Sequence, residues 1–214
     1  MMLKTQASDR YFFTGSAIFF ILCNYIGFYS STTQRLETGP IPVHVIVHGV
    51  SFALWILMYG VQAMLISAKQ QHLHRKIGLF SGLVLVMVFL TGIYTLYKLS
   101  LVLGITLIEG YSDILLISMS ITFAILGLTK KGDLFKHKRY MFYATLLLST
   151  AGISRTVNLI IGGFGIEKSF FNEMYYGFAF MPTVLLLIYD ACIYKRVILF
   201  DIIVFLLFVA VMLI

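Results

Sequence analysis

VHVIVHGVSFALWILMYGVQAMLISAKQQHLHRKIG, residues 43–78, decides how the rest of the chain is read. From Val43 to Ser67 it carries no Asp, Glu, Lys or Arg. A helix needs about 20 such residues to cross the roughly 30 Å hydrocarbon core of a bilayer. The run then breaks into a short basic loop, and a second apolar run begins at once. Four histidines lie in this segment, His44 and His48 near its start and His72 and His74 in its loop. The remaining one, His137, sits in a similar basic loop further on.

The same rule applied outward predicts seven spans, at 11–30, 43–67, 77–101, 111–129, 140–161, 175–194 and 197–214. The last is short. The composition agrees, at 60% hydrophobic and 12% charged. A soluble domain averages about 45–50% apolar and about 25% charged residues, so lipid must solvate much of this surface. The expected fold is all-α, a polytopic integral membrane protein in a single transmembrane helical domain. The lipid bilayer is then its first partner. The tight 3–4 link (Leu103 to Gly110) and 6–7 link (Lys195, Arg196) make sequential helices antiparallel neighbours.

A net charge of +7 would suit nucleic acid if it were clustered. It falls instead in short loops between apolar spans, where it sets topology. With the N-terminus cytoplasmic, the inner side receives Lys4, Arg10, Lys69, Arg75, Lys76, Lys130, Lys131, Lys136, Lys138, Arg139, Lys195 and Arg196. The outer loops receive Arg35 and Lys168. The expected orientation is N-terminus in, C-terminus out. That weighs against a G-protein-coupled receptor. It weighs against a retinal protein too, because 197–214 holds no lysine for a Schiff base. The first apolar run has the length of a retained helix rather than of a cleaved signal. Cys23 and Cys192 fall at different depths, so no disulfide is expected.

His44 and His48 share one helix face, because residues four apart lie one above the other. Ser51, Trp55, Tyr59 and Gln62 continue that face as a polar and aromatic stripe, which should point into the bundle rather than to lipid. An i, i+4 His pair is a well-formed site for zinc or copper. Asp113, at the start of the fourth span, is the third candidate ligand. Arg155, in the fifth, is its candidate ion-pair partner and a supporting residue with Trp55, Tyr59 and Gln62. The competing reading has these histidines hydrogen-bond to neighbouring helices, with Arg155 reaching to the interface.

A second candidate site lies at the inner end, near His72, Asp190 and Asp201. His74 and His137, on two helices at one depth, suit axial ligation of a b-type haem. Arg75, Lys76, Lys138 and Arg139 would neutralise its propionates, unless these residues only mark topology. His48 stands 19 residues before Ser67, or roughly 28 Å of helix, so the two sites cannot share one metal. His74-Arg75-Lys76 and His137-Lys138-Arg139 also echo each other, as if helices 2–3 and 4–5 were hairpins of one plan. In that alignment Asp113 falls within two residues of the position of His48.

The pattern H-x3-H-G-x5-W-x6-Q-x11-H-R-K-x-G is carried by His44, His48, Gly49, Trp55, Gln62, His74, Arg75 and Gly78. With H-K-R-x-M at His137–Met141 and the later Arg155, it resembles a large group of uncharacterised bacterial multi-pass membrane proteins, over roughly residues 10–195. The resemblance implies a bacterial inner-membrane protein and no particular activity. A looser similarity links the chain to membrane proteins that assist haem–copper oxidase maturation and to b-type membrane cytochromes. Di-iron desaturases gather about eight histidines on one face, unlike this chain. Seven-helix zinc hydrolases of the progestin-receptor and ceramidase type place H-x3-H in the last helix, where this chain has none.

The expectation is therefore an inner-membrane protein with a His-based cofactor site, holding copper, zinc, iron or haem b. Redox relay or oxidase assembly would be its task. The alternative is a non-enzymatic subunit (transporter, sensor or accessory protein) whose polar stripe packs helices or receives a membrane partner or a second copy.

Overall fold

The computed structural model describes residues 2–103, 111–195 and 198–212. It is all helical: α1 (Met2–Thr38), α2 (Val43–Ser67), α3 (Gln71–Leu103), α4 (Tyr111–Thr129), α5 (Leu134–Phe164), α6 (Phe171–Tyr189) and α7 (Leu199–Met212). A 3-10 turn, Lys168–Phe170, precedes α6, and a π-helical turn, Asp190–Tyr194, prolongs it. Six helices are long and apolar enough to cross a membrane, while Leu199–Met212 is shorter. The predicted limits of α2 and α4 match. Helices α1, α3 and α5 run on past the apolar run through polar turns, because backbone hydrogen bonding does not stop where hydropathy does. The 3–4 link and half of the 6–7 link lie outside the described residues.

Local chemistry sets the breaks. Gly39 and Pro40 follow α1, and Pro42 stands at the N-cap of α2, where a missing N–H costs nothing. Lys69, in the left-handed region at φ 60°, closes the α2–α3 turn. The Asp133 carboxylate accepts from Lys136 N–H at 3.2 Å and caps α5. That bond holds its pKa below the usual carboxylate value. At the other end Gly165, at φ 64°, takes the conformation that ends helices, and its N–H donates to Ile161 O.

Helix α5 is the axis of the bundle. Of its most apolar stretch 67% is buried, against 28–33% in the other five spans. It is also the least apolar of the six. The two facts have one cause. A lipid-facing helix must be greasy all round, whereas an interior helix can carry polar side chains that find partners. Arg139, Tyr143, Thr145, Ser149, Thr150 and Thr156 are all buried on α5. Thr156 Oγ1 donates to Cys23 O of α1 at 2.6 Å, and α5 in turn accepts from α4, Ser120 Oγ to Ala144 O at 2.7 Å. Helix α1 comes so close that a Cβ on Gly152 would collide with Asn24, and one on Gly27 with the Gly152 carbonyl.

Neighbours in sequence pack as expected in the α2–α3 and α4–α5 hairpins, and α1 additionally packs along α5. Cys23 is buried and Cys192 exposed, and both thiols are free.

Candidate functional site

His137, Lys138 and Arg139 are consecutive in the first turns of α5. Each helical residue is turned about 100° from the last, so three in a row face three directions. Because α5 is surrounded, each direction meets a different helix. His137 meets α3, Lys138 meets α1 and Arg139 meets α6 and α7.

The His137 ring stands against His74, with 6.2 Å between centroids and planes at 85°. His137 Nδ1 lies 2.7 Å from Gly127 O, near the end of α4. His74 Nδ1 lies 3.3 Å from Gln62 O, near the end of α2. A carbonyl oxygen can only accept, so in the neutral His137 ring Nδ1 carries the proton and Nε2 keeps the lone pair. Gln62 braces this side. With its carboxamide in the orientation that satisfies both ends, the nitrogen donates to His74 Nδ1 at 2.5 Å and to His74 O at 3.0 Å, and the oxygen accepts from Gly78 N–H at 3.0 Å.

The paired bonds account for the offset seen in the sequence echo. His48 precedes Gln62 by 14 residues, and Asp113 precedes Gly127 by 14. The stretch from carbonyl to histidine is two residues shorter in the second hairpin, 10 against 12, which is the offset between Asp113 and His48.

Lys138 is turned toward α1. Its ammonium pairs with Asp9 of α1 and reaches Tyr194 Oη at 3.2 Å. Tyr189 Oη also donates to Asp9, at 2.7 Å. Arg139 is 1% exposed. It pairs with Asp190 and, through Nε at 3.1 Å, with Asp201, while Phe135 lies 3.7 Å beneath its guanidinium. Tyr143 Oη donates to the other Asp201 oxygen at 2.9 Å. The expectation that Lys138 and Arg139 neutralise propionates is therefore corrected, since the chain's own carboxylates already claim both. Arg75 and Lys76, the matching residues of α3, are exposed and form no ion pair among the described residues. His72 is exposed too and stands outside the His74–His137 contact.

At the opposite end the stripe points inward as expected. Ser51, Trp55 and Tyr59 are buried, and His44, His48 and Gln62 are half-buried. Tyr59 Oη meets Ser16 Oγ at 3.4 Å. His48 Nδ1 lies 3.2 Å from Thr91 Oγ1, and the Thr91 hydroxyl is already spent on Met87 O at 2.6 Å, so the ring donates. His44 stands edge-on to Tyr94 at 5.7 Å. Val43, His44, Val47, Leu90, Thr91 and Tyr94 line an open groove of about 560 Å³. Among the described residues no three of His, Cys, Asp and Glu come together as a metal-binding group, so His44, His48 and Asp113 do not converge. The Asp113–Arg155 ion pair does not form either. Arg155 donates to Ala151 O at 2.8 Å and lays its guanidinium 4.5 Å from the Phe28 ring.

Asp9, Tyr143, Tyr189 and Tyr194 were missed by the sequence reading. The signal was there. Charged residues inside an apolar span must pair, and Asp9, Asp190 and Asp201 sit at the depth of Lys138 and Arg139. No protein-family model, curated protein or solved structure matches the chain.

Proposed function

We propose that this chain is a bacterial inner-membrane protein, N-terminus in, that holds a redox metal between His74 and His137, as b-type haem or as copper. Its task on this reading is electron relay or maturation of a respiratory oxidase. The observation that carries the reading is the 6.2 Å apposition of two imidazoles from separate hairpins, His137 anchored through Nδ1 on Gly127 O and His74 held by Gln62. Two metal–nitrogen bonds of about 2.0–2.1 Å, on rings whose nitrogen lies about 1 Å from the centroid, put the centroids about 6 Å apart. Anchoring Nδ1 on a carbonyl is the usual way of fixing the tautomer and orientation of a ligating ring.

Two donors without a third suit particular ions. Haem iron needs two axial residues, because the macrocycle supplies the rest. Copper(I) accepts two imidazoles in line. A structural zinc wants four ligands, which disfavours it. Bound metal would supply one-electron chemistry, and the chain would fix the rings and exclude competing ligands.

The test is a visible spectrum and a metal assay on detergent-purified protein from cells grown with iron and copper. A Soret band, or copper near one per chain, should be lost in His74→Ala and in His137→Ala. It should persist in the His44→Ala/His48→Ala double variant. A folded, colourless, metal-free wild type refutes the reading. That result would leave the alternative of a non-enzymatic subunit, in which the same ring contact only joins two hairpins.

A further inference from the structure

A second cluster, with different residues, carries an inference independent of the redox reading. Asp190, Asp201 and Arg139 are 0%, 0% and 1% exposed. Both carboxyls hang on the one guanidinium. The groups that face them are Lys138 and Tyr143 from α5, Tyr189 and Tyr194 from α6 and its π-turn, and Asp9 from α1. Lys138 is taken by Asp9. At the Arg139 guanidinium itself two carboxyls thus meet one cation. Asp190 also has a buried oxygen, Oδ2, with no hydrogen-bond partner.

Two carboxylates against one cation in a water-poor site cannot both stay ionised cheaply. An ionised oxygen left without a donor is a further cost. One proton shared between the two carboxyls removes both penalties, because it restores neutrality and lets one carboxyl donate to the other. We propose that Asp190 and Asp201 form a buried site for a single shared proton, which fastens the start of α7 to α5. Loss of that proton would leave an unbalanced negative charge where α6 unwinds into its π-turn, and would loosen α7.

Infrared spectroscopy of the full-length protein in lipid tests this directly. A protonated carboxyl gives a C=O stretch above the amide I band, and that stretch shifts down in deuterium oxide. Wild-type-minus-variant spectra against Asp190→Asn and Asp201→Asn should each show one such band, since either variant leaves Arg139 with a single carboxylate and no need of a proton. In the wild type alone, the band should fade as pH is raised. Both readings are taken in sodium and in choline buffers. A band that persists in both variants, or is absent from the wild type in choline, overturns the proposal. So does a band absent in sodium that appears in choline, because it would assign the site to an alkali cation. Wild-type titration keeps the test decisive if one variant does not fold.

Discussion

Replacing Arg139 with Gln should damage the bundle more than any other single change in a loop-proximal residue. The side chain is 1% exposed and serves two buried carboxyls, Asp190 and, at 3.1 Å, Asp201. Removing one partner of a buried ion pair costs about 3–5 kcal/mol, chiefly because it strands the other charge. The guanidinium over Phe135, at 3.7 Å, adds an attraction of about 0.5–2 kcal/mol that Gln also loses. For a chain of this size about 1 kcal/mol moves the melting temperature by about 2–4 °C, so the variant should melt about 7–28 °C lower. Adding Asp201→Asn should recover part of the loss. Asn keeps an oxygen for the Tyr143 hydroxyl and removes one stranded carboxyl. The coupling should exceed about 0.5 kcal/mol in the double-mutant cycle. The assay is thermal unfolding in one detergent, followed by circular dichroism and by tryptophan fluorescence from the single Trp55. Arg139→Gln within about 0.5 kcal/mol of wild type, the range of an ordinary surface change, would refute the reasoning. Strict additivity with Asp201→Asn would refute it as well.

Gly152→Ala should cost about 1–3 kcal/mol by overpacking, since the new methyl would meet the Asn24 backbone of α1; an unchanged melting temperature would contradict the close approach. Gln62→Leu removes the brace on His74, so cofactor affinity should fall about 10–100-fold with the fold intact, read by titration of the stripped protein. Asp133 caps α5 only as the carboxylate, and its folded pKa is depressed. Its contribution is therefore present above the unfolded carboxylate pKa and lost as pH falls through the lower folded value. Hydrogen exchange at the Lys136 amide should accelerate in Asp133→Ala at neutral pH, and exchange in that variant should no longer respond to acid as wild type does.

His74 and His137 are legible as partners because they stand on two helices at one depth, and the hairpins bring them together. The i, i+4 stripe of α2 was legible too, since its orientation follows from helical period and from the cost of polar groups in lipid. Asp113 and Arg155 were placed with less success. Each was assigned by depth alone, and depth does not say which way a side chain turns about its own axis. Arg155 found the Phe28 ring instead of a carboxylate.

The basic loops taught the sharper lesson. Counted as a class, Lys and Arg near span ends look alike, and twelve of them were read as topology. Lys138 and Arg139 differ from Arg75 and Lys76 only in the helix that bears them. On α3, whose surface is mostly exposed, such residues point outward. On α5, enclosed by α1, α4 and α6, the same chemistry points into neighbours that supply Asp9, Asp190 and Asp201. By itself the sequence determined that the chain makes membrane-length helices, and where, because the length and apolarity of a span are local properties of the chain. Which helix became the axis, and so which cations were buried and paired, was decided only by tertiary packing. Burial depends on what surrounds a residue, and no run of residues records its own neighbours.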